Sequence, residues 1–287
     1  MDRQLKGLSI LGSTGSVGRQ TLDVVRNFPD RFEVIALGAN KSHQALAEQI
    51  REFKPRYVSY NTAGQKSNQL PGDDSRRTLD YIATADGVDI VVAATTGDVA
   101  LRPTFNAIRS GKDIAIANKE TIIMAGHALI SQARDNASSL LPVDSEPSAI
   151  WQCIRGEESP VDRLVITASG GALRDVPLNH FNKISLSDVL SHPTWKMGPK
   201  ITVDSATMMN KAFEVIEAKW LFGVDWDRIE VVVHPESIIH SMVDFADGST
   251  KAQLSHPDMR LPIQHALFFP ERPANSKINR FDPTIRK

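Results

Sequence analysis

Short apolar runs alternate with helical stretches through the first half of the chain. Leu8 to Leu11, Glu33 to Leu37 and Asp89 to Ala94 are such runs, and each is followed by a stretch with helical spacing. Strands that are apolar along their whole length are buried on both faces, which is typical of a parallel sheet between helices. The pattern therefore predicts an α/β fold with a doubly wound, Rossmann-like parallel sheet.

The pattern changes after about residue 160. Residues 230–234, 237–245 and 250–254 alternate as strands, and Ala246-Asp247-Gly248 is typical of a hairpin turn. We therefore predict an α+β second domain with an antiparallel sheet. The predicted domains are 1–148, which is Rossmann-like, and 149–274, which is α+β. Residues 275–287 are predicted to be a tail or the start of a further region.

Charge and composition exclude several classes of function. A net charge of −1 gives no basic surface for nucleic acid or for an anionic membrane. No apolar run reaches the roughly 18 residues needed to span a bilayer, and no signal peptide precedes the first strand. Cys153 is the single cysteine, which rules out an internal disulfide and fits a reducing compartment. We expect a cytoplasmic protein.

A glycine-rich segment, Gly12-Ser13-Thr14-Gly15-Ser16-Val17-Gly18, joins the first strand to a helix. Strand, glycine turn and helix together form the context of a dinucleotide site, where a pyrophosphate lies at the helix N-terminus. The alternative is a tight turn without a ligand. The second strand ends in Gly38-Ala39-Asn40-Lys41-Ser42, where no acid is present to hold a ribose hydroxyl, so NADP is favoured over NAD. A solvated loop lysine is the alternative here.

Two carboxylates follow the apolar run that ends at Val143. Asp144 and Glu146 are spaced i, i+2 and would point to one side of an extended chain, where a divalent metal could neutralise them. Two solvated acids are the alternative. Farther on, we predict a helix from about Ala206 to Leu221, capped by Asp204 or Ser205, which places Asn210, Lys211 and Glu214 on one face. Glu214 is either a third metal ligand or only the ion-pair partner of Lys211.

Two further segments could contact a substrate. The Ser169-Gly170-Gly171 turn can present backbone N–H groups to an anion, and Ser205, Asn210 and Lys211 would complete a phosphate pocket with Ser169. Residues 191–200 contain two prolines, a glycine and Trp195, which suits a lid that excludes water. An ordinary turn and a buried loop with a structural tryptophan are the alternatives. His234 and His240 are interpreted as packing residues.

Taken together, these motifs resemble one family, 1-deoxy-D-xylulose 5-phosphate reductoisomerase. The resemblance covers nearly the whole chain. The matching segments are G-S-T-G-S-V-G at 12–18, A-N-K-E at 117–120, L-P-V-D-S-E at 141–146, A-S-G-G at 168–171, H-P-x-W-x-M-G at 192–198 and V-D-S-A-T-M-M-N-K at 203–211 with Glu214.

The resemblance implies an enzyme that rearranges and reduces 1-deoxy-D-xylulose 5-phosphate with NADPH and a divalent metal, Mn²⁺ or Mg²⁺, with Co²⁺ as a further candidate. It implies a metal site of Asp144, Glu146 and Glu214, which together with Lys119 are the catalytic residues. The implied substrate contacts are Lys119, Ser145, Glu146, Ser169, His192, Trp195, Ser205, Asn210, Lys211 and Glu214. The implied cofactor contacts are Thr14, Gly15, Ser16, Val17, Asn40, Lys41, Ser42, Asn118, Glu120, Met197 and Gly198.

Three features depart from the family pattern. Pro147 stands where the family usually has histidine, Lys196 stands where a serine is common, and the chain ends at Lys287 before the family's C-terminal helical domain. Pro147 and the early chain end motivate an alternative, a non-catalytic homologue or fragment that binds NADP or a phosphosugar. Another NADP-dependent dehydrogenase is a weaker alternative. The expected partners are a small phosphosugar substrate and a second copy in a homodimer, with no nucleic acid and no membrane.

Overall fold

The structure is a computed structural model that describes residues 5–61, 75–282 and 284, and it divides into two compact units. The first unit comprises Met1–Val143 and Met259–Asn275, and the second comprises Asp144–Asp258 and Ser276–Lys287. This division differs from the predicted domains, because residues 144–148 belong to the second unit and residues 259–275 return to the first. Residues 62–74, within the predicted polar loop, lie outside the described residues.

A six-stranded parallel sheet forms the centre of the first unit, in the order β3-β2-β1-β4-β5-β6. Its strands are fully or nearly fully apolar and buried, as predicted, which confirms the doubly wound architecture. The strands are β1 (Lys6–Leu11), β2 (Phe32–Gly38), β3 (Tyr57–Ser59), β4 (Ile90–Ala93), β5 (Asp113–Ile116) and β6 (Leu140–Pro142). The helices are α1 (Ser16–Asn27), α2 (His43–Phe53), α3 (Leu79–Thr84), α4 (Leu101–Arg109), α5 (Lys119–Asp135) and α10 (Arg260–Phe268).

The last of these helices, α10, fixes the returning segment of the chain to the first unit. The Phe268 ring packs edge-on against Phe28 and Phe32, with ring centroids 4.6 and 4.8 Å away. The guanidinium group of Arg31 lies over the Phe268 ring, 4.9 Å from its centroid, and also pairs with Glu271. Aromatic burial of this kind stabilises the unit, because each such ring removes a large apolar area from water.

The second unit contains a four-stranded sheet in the order β10-β9-β7-β8. The predicted hairpin between β9 and β10 is confirmed, but β8 runs parallel to β7, so the sheet is mixed. Its strands are β7 (Val161–Ala168), β8 (Ile229–Val233), β9 (Ile239–Phe245) and β10 (Thr250–Leu254), and its helices are α6 (Ser145–Ile154), α7 (Leu186–Leu190), α8 (Pro199–Ala206) and α9 (Met209–Phe222). The core between helices and sheet contains Ile150, Leu164, Ile166, Ala218, Val243 and Phe245.

The helix predicted from about Ala206 is in fact two helices. Helix α8 begins at Pro199, whose fixed φ suits the first helical position, and it ends at Ala206. Met208 then adopts a left-handed conformation with φ 61°, and α9 begins at Met209. The prediction that Asp204 or Ser205 caps the helix is therefore wrong, since both residues lie in the last turn of α8.

Within residues 5–61 and 75–282, none of the helices is both long enough and apolar enough to span a bilayer.

Candidate active site

The glycine-rich turn of the first unit connects β1 to α1. At two of its glycines the surrounding backbone is too close for a side chain. A Cβ on Gly12 would lie 2.6 Å from the Ala94 carbonyl oxygen, and one on Gly18 would lie 2.3 Å from the Gly12 oxygen. The N-cap of α1 is Gly15, which provides no side-chain cap, and the first turn contains no acid. This helix end can therefore receive an anion through its backbone N–H groups.

Hydrogen bonds fix the shape of this turn. The Ser13 hydroxyl donates to Gln49 Oε1 at 2.7 Å, and the Gln49 amide donates to the Ser13 carbonyl at 3.0 Å, with both side chains buried. At the second strand end, Lys41 and Ser42 lie exposed beside a cavity of about 470 Å³ at the start of α2. The first turn of α2 contains no acid, which suits a second anionic group.

Asn118 has a structural task in this unit. Its Oδ1 accepts from the Thr121 N–H at 2.7 Å as the cap of α5, and its Nδ2 donates to the carbonyls of Thr95 and Gly97 at 2.7 and 3.0 Å. The side chain is 1% exposed. Both amide hydrogens of Asn118 are thus bound to the protein, so its side chain cannot donate to a cofactor in this arrangement.

The second unit brings three predicted acids together. Asp144 is the N-cap of α6 and Glu146 lies in the first turn, while Glu214 comes from the middle of α9. One carboxylate oxygen from each of the three lies within 4.8 Å of the others. The prediction that Asp144 and Glu146 lie on extended chain is wrong, because β6 ends at Pro142 and a helix turn brings their carboxylates together.

Lys211 lies within this group of acids. Its Nζ donates to Glu146 Oε1 at 2.8 Å and to Glu214 Oε2 at a shorter distance, and Asn210 Nδ2 donates to Glu214 Oε1 at 2.5 Å. Burial lowers the pKa of Lys211, but the charges of Glu146 and Glu214 raise it by more, so the pKa is raised overall. The lysine is therefore a cation that partly neutralises the acids.

The donor set fits a divalent metal. Three carboxylates with oxygens within 4.8 Å of one another concentrate negative charge around one ammonium group, and Glu214 is only 1% exposed. Buried like charges at this spacing are unfavourable without a further cation. Oxygen ligands of this kind suit Mg²⁺ or Mn²⁺. Pro147, the third residue of α6, removes no helix hydrogen bond, since N–H groups in the first turn have no partner within the helix.

The predicted phosphate residues lie in two groups. The Ser169-Gly170-Gly171 turn packs on the end of α8 so tightly that a Cβ on Gly171 would lie 2.3 Å from the Ser205 carbonyl oxygen. Asn210 Oδ1 is buried and has no hydrogen-bond partner among the described residues, so it can accept from a ligand. Lys211, in contrast, contacts the acids described above.

The predicted lid residues are held by His192. Its Nδ1 accepts from the backbone N–H groups of Thr194 and Trp195 at 3.1 and 2.9 Å, and its Nε2 lies 2.9 Å from Ser169 Oγ. The Trp195 ring lies beside the His240 ring, with centroids 6.1 Å apart and an interplanar angle of 56°. Lys196 is exposed beside them.

Two residues near these groups were not predicted. His240 is buried, its Nε2 lies 2.8 Å from Ser255 Oγ, and its ring contacts that of Trp195 in the predicted lid. In the sequence, its position in the strand β9, between Ile239 and Ser241, was the feature that could have indicated a buried side chain. Arg174 donates from Nη1 to the Ser169 carbonyl at 2.9 Å and places a positive charge beside the turn. No sequence motif indicated this contact.

The predicted site residues are divided between the two units. Those in the first unit are Thr14, Gly15, Ser16, Val17, Asn40, Lys41, Ser42, Asn118, Lys119 and Glu120. Those in the second unit are Asp144, Ser145, Glu146, Ser169, His192, Trp195, Met197, Gly198, Ser205, Asn210, Lys211 and Glu214.

A doubly wound nucleotide-type sheet with a second unit that contains a three-carboxylate site defines a metal-assisted, nucleotide-dependent oxidoreductase. A family model for 1-deoxy-D-xylulose 5-phosphate reductoisomerase matches residues 8–126, and a model for the C-terminal domain of that enzyme matches residues 140–222. The chain therefore belongs to the 1-deoxy-D-xylulose 5-phosphate reductoisomerase family, as its relatives also show.

The curated relatives carry the same family name. The enzyme of Shouchella clausii (strain KSM-K16) is 49% identical over 286 residues, which cover 97% of this chain and 76% of the relative. The enzyme of Pelotomaculum thermopropionicum is 48% identical over 280 residues, which cover 93% of this chain and 72% of the relative. A crystal structure of DOX-P reductoisomerase in complex with NADPH, fosmidomycin and magnesium is 39% identical with a TM-score of 0.88, covering 97% of this chain and 73% of the other.

Proposed function

We propose that this chain catalyses the NADPH- and divalent-metal-dependent rearrangement and reduction of 1-deoxy-D-xylulose 5-phosphate to 2-C-methyl-D-erythritol 4-phosphate. The observation that carries the proposal is the meeting of Asp144, Glu146 and Glu214 within 4.8 Å. Family membership supports it, since relatives that share nearly half their residues with this chain are reductoisomerases.

Asp144, Glu146 and Glu214 would hold Mg²⁺ or Mn²⁺, and a related structure contains magnesium. A bound divalent ion supplies Lewis acidity toward the carbonyl and hydroxyl oxygens of the substrate. The chain contributes the three carboxylates, of which Glu214 accepts from Asn210, and Glu146 and Glu214 accept from Lys211. A neutral donor such as the Asn210 amide can orient a ligand to a metal ion.

Most of the proposed contacts to NADPH lie in the first unit, and bound NADPH would supply the hydride for the reduction. The α1 N-terminus with Thr14, Gly15, Ser16 and Val17 would receive the pyrophosphate, and Lys41 with Ser42 would receive the ribose phosphate. The absence of acids in the first turns of α1 and α2 supports both assignments. Asn40, Asn118, Glu120, Met197 and Gly198 complete the proposed cofactor contacts.

The phosphate end of the substrate would bind at Ser169, His192, Ser205, Asn210 and Lys211. Binding energy at this remote group can orient the reacting end, which we propose to contact Lys119 and Ser145. Trp195 would cover the bound substrate and exclude water. The tilted contact between the Trp195 ring and the buried His240 ring supports this assignment, because it places the indole beside the second unit's sheet.

The direct test is loss of NADPH absorbance on addition of 1-deoxy-D-xylulose 5-phosphate and Mn²⁺, together with analysis of the product. We expect metal-dependent oxidation of NADPH and a branched carbon skeleton. Binding of NADPH without turnover would select the non-catalytic alternative instead. An unbranched product would indicate another kind of NADP-dependent dehydrogenase.

We further propose that the chain acts as a homodimer in the cytoplasm. The edge strand β8 supports the dimer, because it exposes 55% of Val233 and 38% of Val231 on a sheet that could pair with a second copy. Light scattering should give twice the mass of the chain, and Val233→Lys should shift it toward the monomer. The buried thiol of Cys153 agrees with a reducing compartment, and cell fractionation would test the location.

A further inference from the structure

A buried glutamine of α2, Gln49, makes two hydrogen bonds to one residue of the glycine-rich turn. The carbonyl oxygen of Ser13 can only accept a hydrogen bond, so the Gln49 amide nitrogen must face it, and the two atoms lie 3.0 Å apart. Gln49 Oε1 then accepts from the Ser13 hydroxyl at 2.7 Å. Ser13 is 0% exposed and Gln49 is 6% exposed, so water does not compete for these bonds. Together the two bonds fix the orientation of the Ser13 carbonyl.

The orientation of that carbonyl also decides where the next N–H group points. The peptide unit that joins Ser13 to Thr14 is planar and trans, so its C=O and N–H groups point in opposite directions. The Ser13 oxygen points to the Gln49 amide inside the first unit. The Thr14 N–H therefore points away from Gln49 and out of this buried contact.

The other N–H groups at the start of the turn are used within the protein. Those of Gly12 and Ser13 donate to the Gly38 carbonyl at 2.9 and 2.8 Å, and that of Gly15 donates to the Gly12 carbonyl at 3.0 Å. Among the residues that the structure describes, the Thr14 N–H makes no hydrogen bond. Thr14 is partly exposed and directly precedes Gly15, the N-cap of α1. Its N–H thus adds one donor to those of the helix N-terminus, which suits an anion.

We propose that Gln49 is a positioning residue of this turn, which acts through the Ser13 carbonyl to aim the Thr14 N–H at the pyrophosphate of the cofactor. A carbonyl oxygen turned toward that anion would repel it, because both are negative, so the bond from Gln49 also removes an unfavourable contact. The proposal rests on the proposed function for the identity of the anion. It goes beyond that function because it assigns a role in cofactor binding to a buried residue outside the proposed cofactor contacts.

Two ligands separate this role from general stabilisation of the first unit. ADP carries a pyrophosphate, whereas adenosine 2′-monophosphate carries only the phosphate proposed to bind Lys41 and Ser42. Both ligands share the adenosine group, so a difference between their affinities reports on the phosphates. Gln49→Met removes both hydrogen bonds to Ser13 and keeps a side chain of similar length.

Two further variants serve as controls. Gln264 is a buried glutamine of α10 in the same unit, whose amide donates to the Pro273 carbonyl at 2.9 Å and accepts from Asn275 Nδ2 at 2.8 Å. Gln264→Met therefore removes the same number of side-chain hydrogen bonds in a different helix. Ser13→Ala removes the hydroxyl bond to Gln49 but keeps the bond from Gln49 to the Ser13 carbonyl.

Calorimetric titration of the full chain measures the affinity for each ligand. We expect Gln49→Met to weaken ADP binding about tenfold, the effect of one hydrogen bond to a charged group, and to leave the affinity for adenosine 2′-monophosphate unchanged. Gln264→Met should change neither affinity, although both variants should lower the melting temperature. Ser13→Ala should weaken ADP binding less than Gln49→Met does. In the parent chain, ADP should shift the ¹H–¹⁵N resonance of Thr14 downfield, and adenosine 2′-monophosphate should not.

The proposal is overturned if Gln49→Met weakens both ligands equally or neither, or if Ser13→Ala weakens ADP binding as much as Gln49→Met does. A Thr14 resonance that does not respond to ADP also overturns it, and this measurement needs only the parent chain. Because these readouts do not depend on turnover, a chain that shows the expected pattern but does not oxidise NADPH would refute the proposed function and leave the role of Gln49 standing. An active chain whose ADP affinity survives Gln49→Met would do the reverse.

Discussion

Replacing Lys211 tests the electrostatics of the acid site most directly. Lys211→Met removes the ammonium group between Glu146 and Glu214 while keeping a side chain of similar length. Both partners are largely buried, with 14% and 1% of their side chains exposed. Removal of one partner of a buried ion pair costs roughly 3–5 kcal/mol. For a chain of this size the metal-free melting temperature should therefore fall by about 10 °C.

The same substitution should strengthen metal binding. Lys211 Nζ lies 2.8 Å from Glu146 Oε1, so a divalent ion on that oxygen would lie within about 5 Å of the ammonium nitrogen. Repulsion between charges of one and two at that distance is about 7 kcal/mol at an effective dielectric constant of 20. This repulsion exceeds the stabilisation that the ion pair provides. In the native chain, Lys211 must therefore move away when the metal binds, or it must weaken metal binding.

Thermal unfolding with and without Mn²⁺, together with calorimetric titration of Mn²⁺, measures both effects. The variant should melt lower without metal, bind Mn²⁺ at least about tenfold more tightly, and recover more stability when Mn²⁺ is added. Lys219→Met on the same helix is the matched control, because its pair with Asp225 is exposed and should contribute less than about 1 kcal/mol. Unchanged melting and unchanged Mn²⁺ affinity in Lys211→Met would refute the reasoning.

Three other predictions concern single side chains. Glu214→Gln should lower the rate of NADPH oxidation at least about a thousandfold, because a carboxylate ligand of the metal is lost, while the circular dichroism spectrum stays native. If the variant instead unfolds but keeps normal turnover per folded molecule, Glu214 is only an ion-pair partner. Burial and the charge of Arg272 lower the pKa of His265 to about 4. Between pH 7 and pH 5 the unfolded chain therefore binds a proton at His265 that the folded chain does not, and the free energy of unfolding should fall by about 2 kcal/mol. Urea unfolding should show this loss in the parent chain, and the loss should be smaller in His265→Leu. Burial raises the pKa of Cys153 to about 11, so a disulfide reagent at pH 8 should label the native chain at least about a hundredfold more slowly than the unfolded chain.

Features that depend on local spacing were predictable from the sequence. The strand, glycine turn and helix over residues 8–27 follow from neighbours along the chain, and so does the common face of Asn210, Lys211 and Glu214. The hydrogen bonds from Asn210 and Lys211 to Glu214 confirm that face. The mixed direction of the second sheet was not predictable, because the pairing of β8 with β7 joins residues more than sixty positions apart.

The division of α8 from α9 was missed for a related reason. Neither Thr207 nor Met208 is a proline or glycine, which would mark a helix end in the sequence. Met208 nevertheless adopts a left-handed conformation, which is rare for residues other than glycine. The close approach of Gly171 to the Ser205 carbonyl fixes the end of α8 from a distant part of the chain. A contact of that kind leaves no periodic trace in the sequence around residue 207.

The three acids of the site combine local contacts within one helix with contacts between distant parts of the chain. Asp144 and Glu146 lie at the N-terminus of α6, where unpaired N–H groups and the helix dipole favour negative charge. Glu214 lies inside α9, away from a helix end, and accepts hydrogen bonds from Lys211 and Asn210 of the preceding turn of its own helix. The site therefore joins two acids at a helix end to one acid inside a helix, and Lys211 donates to one acid of each kind. Exchange of Lys211 for a divalent ion therefore changes the surroundings of Glu146 as well as those of Glu214.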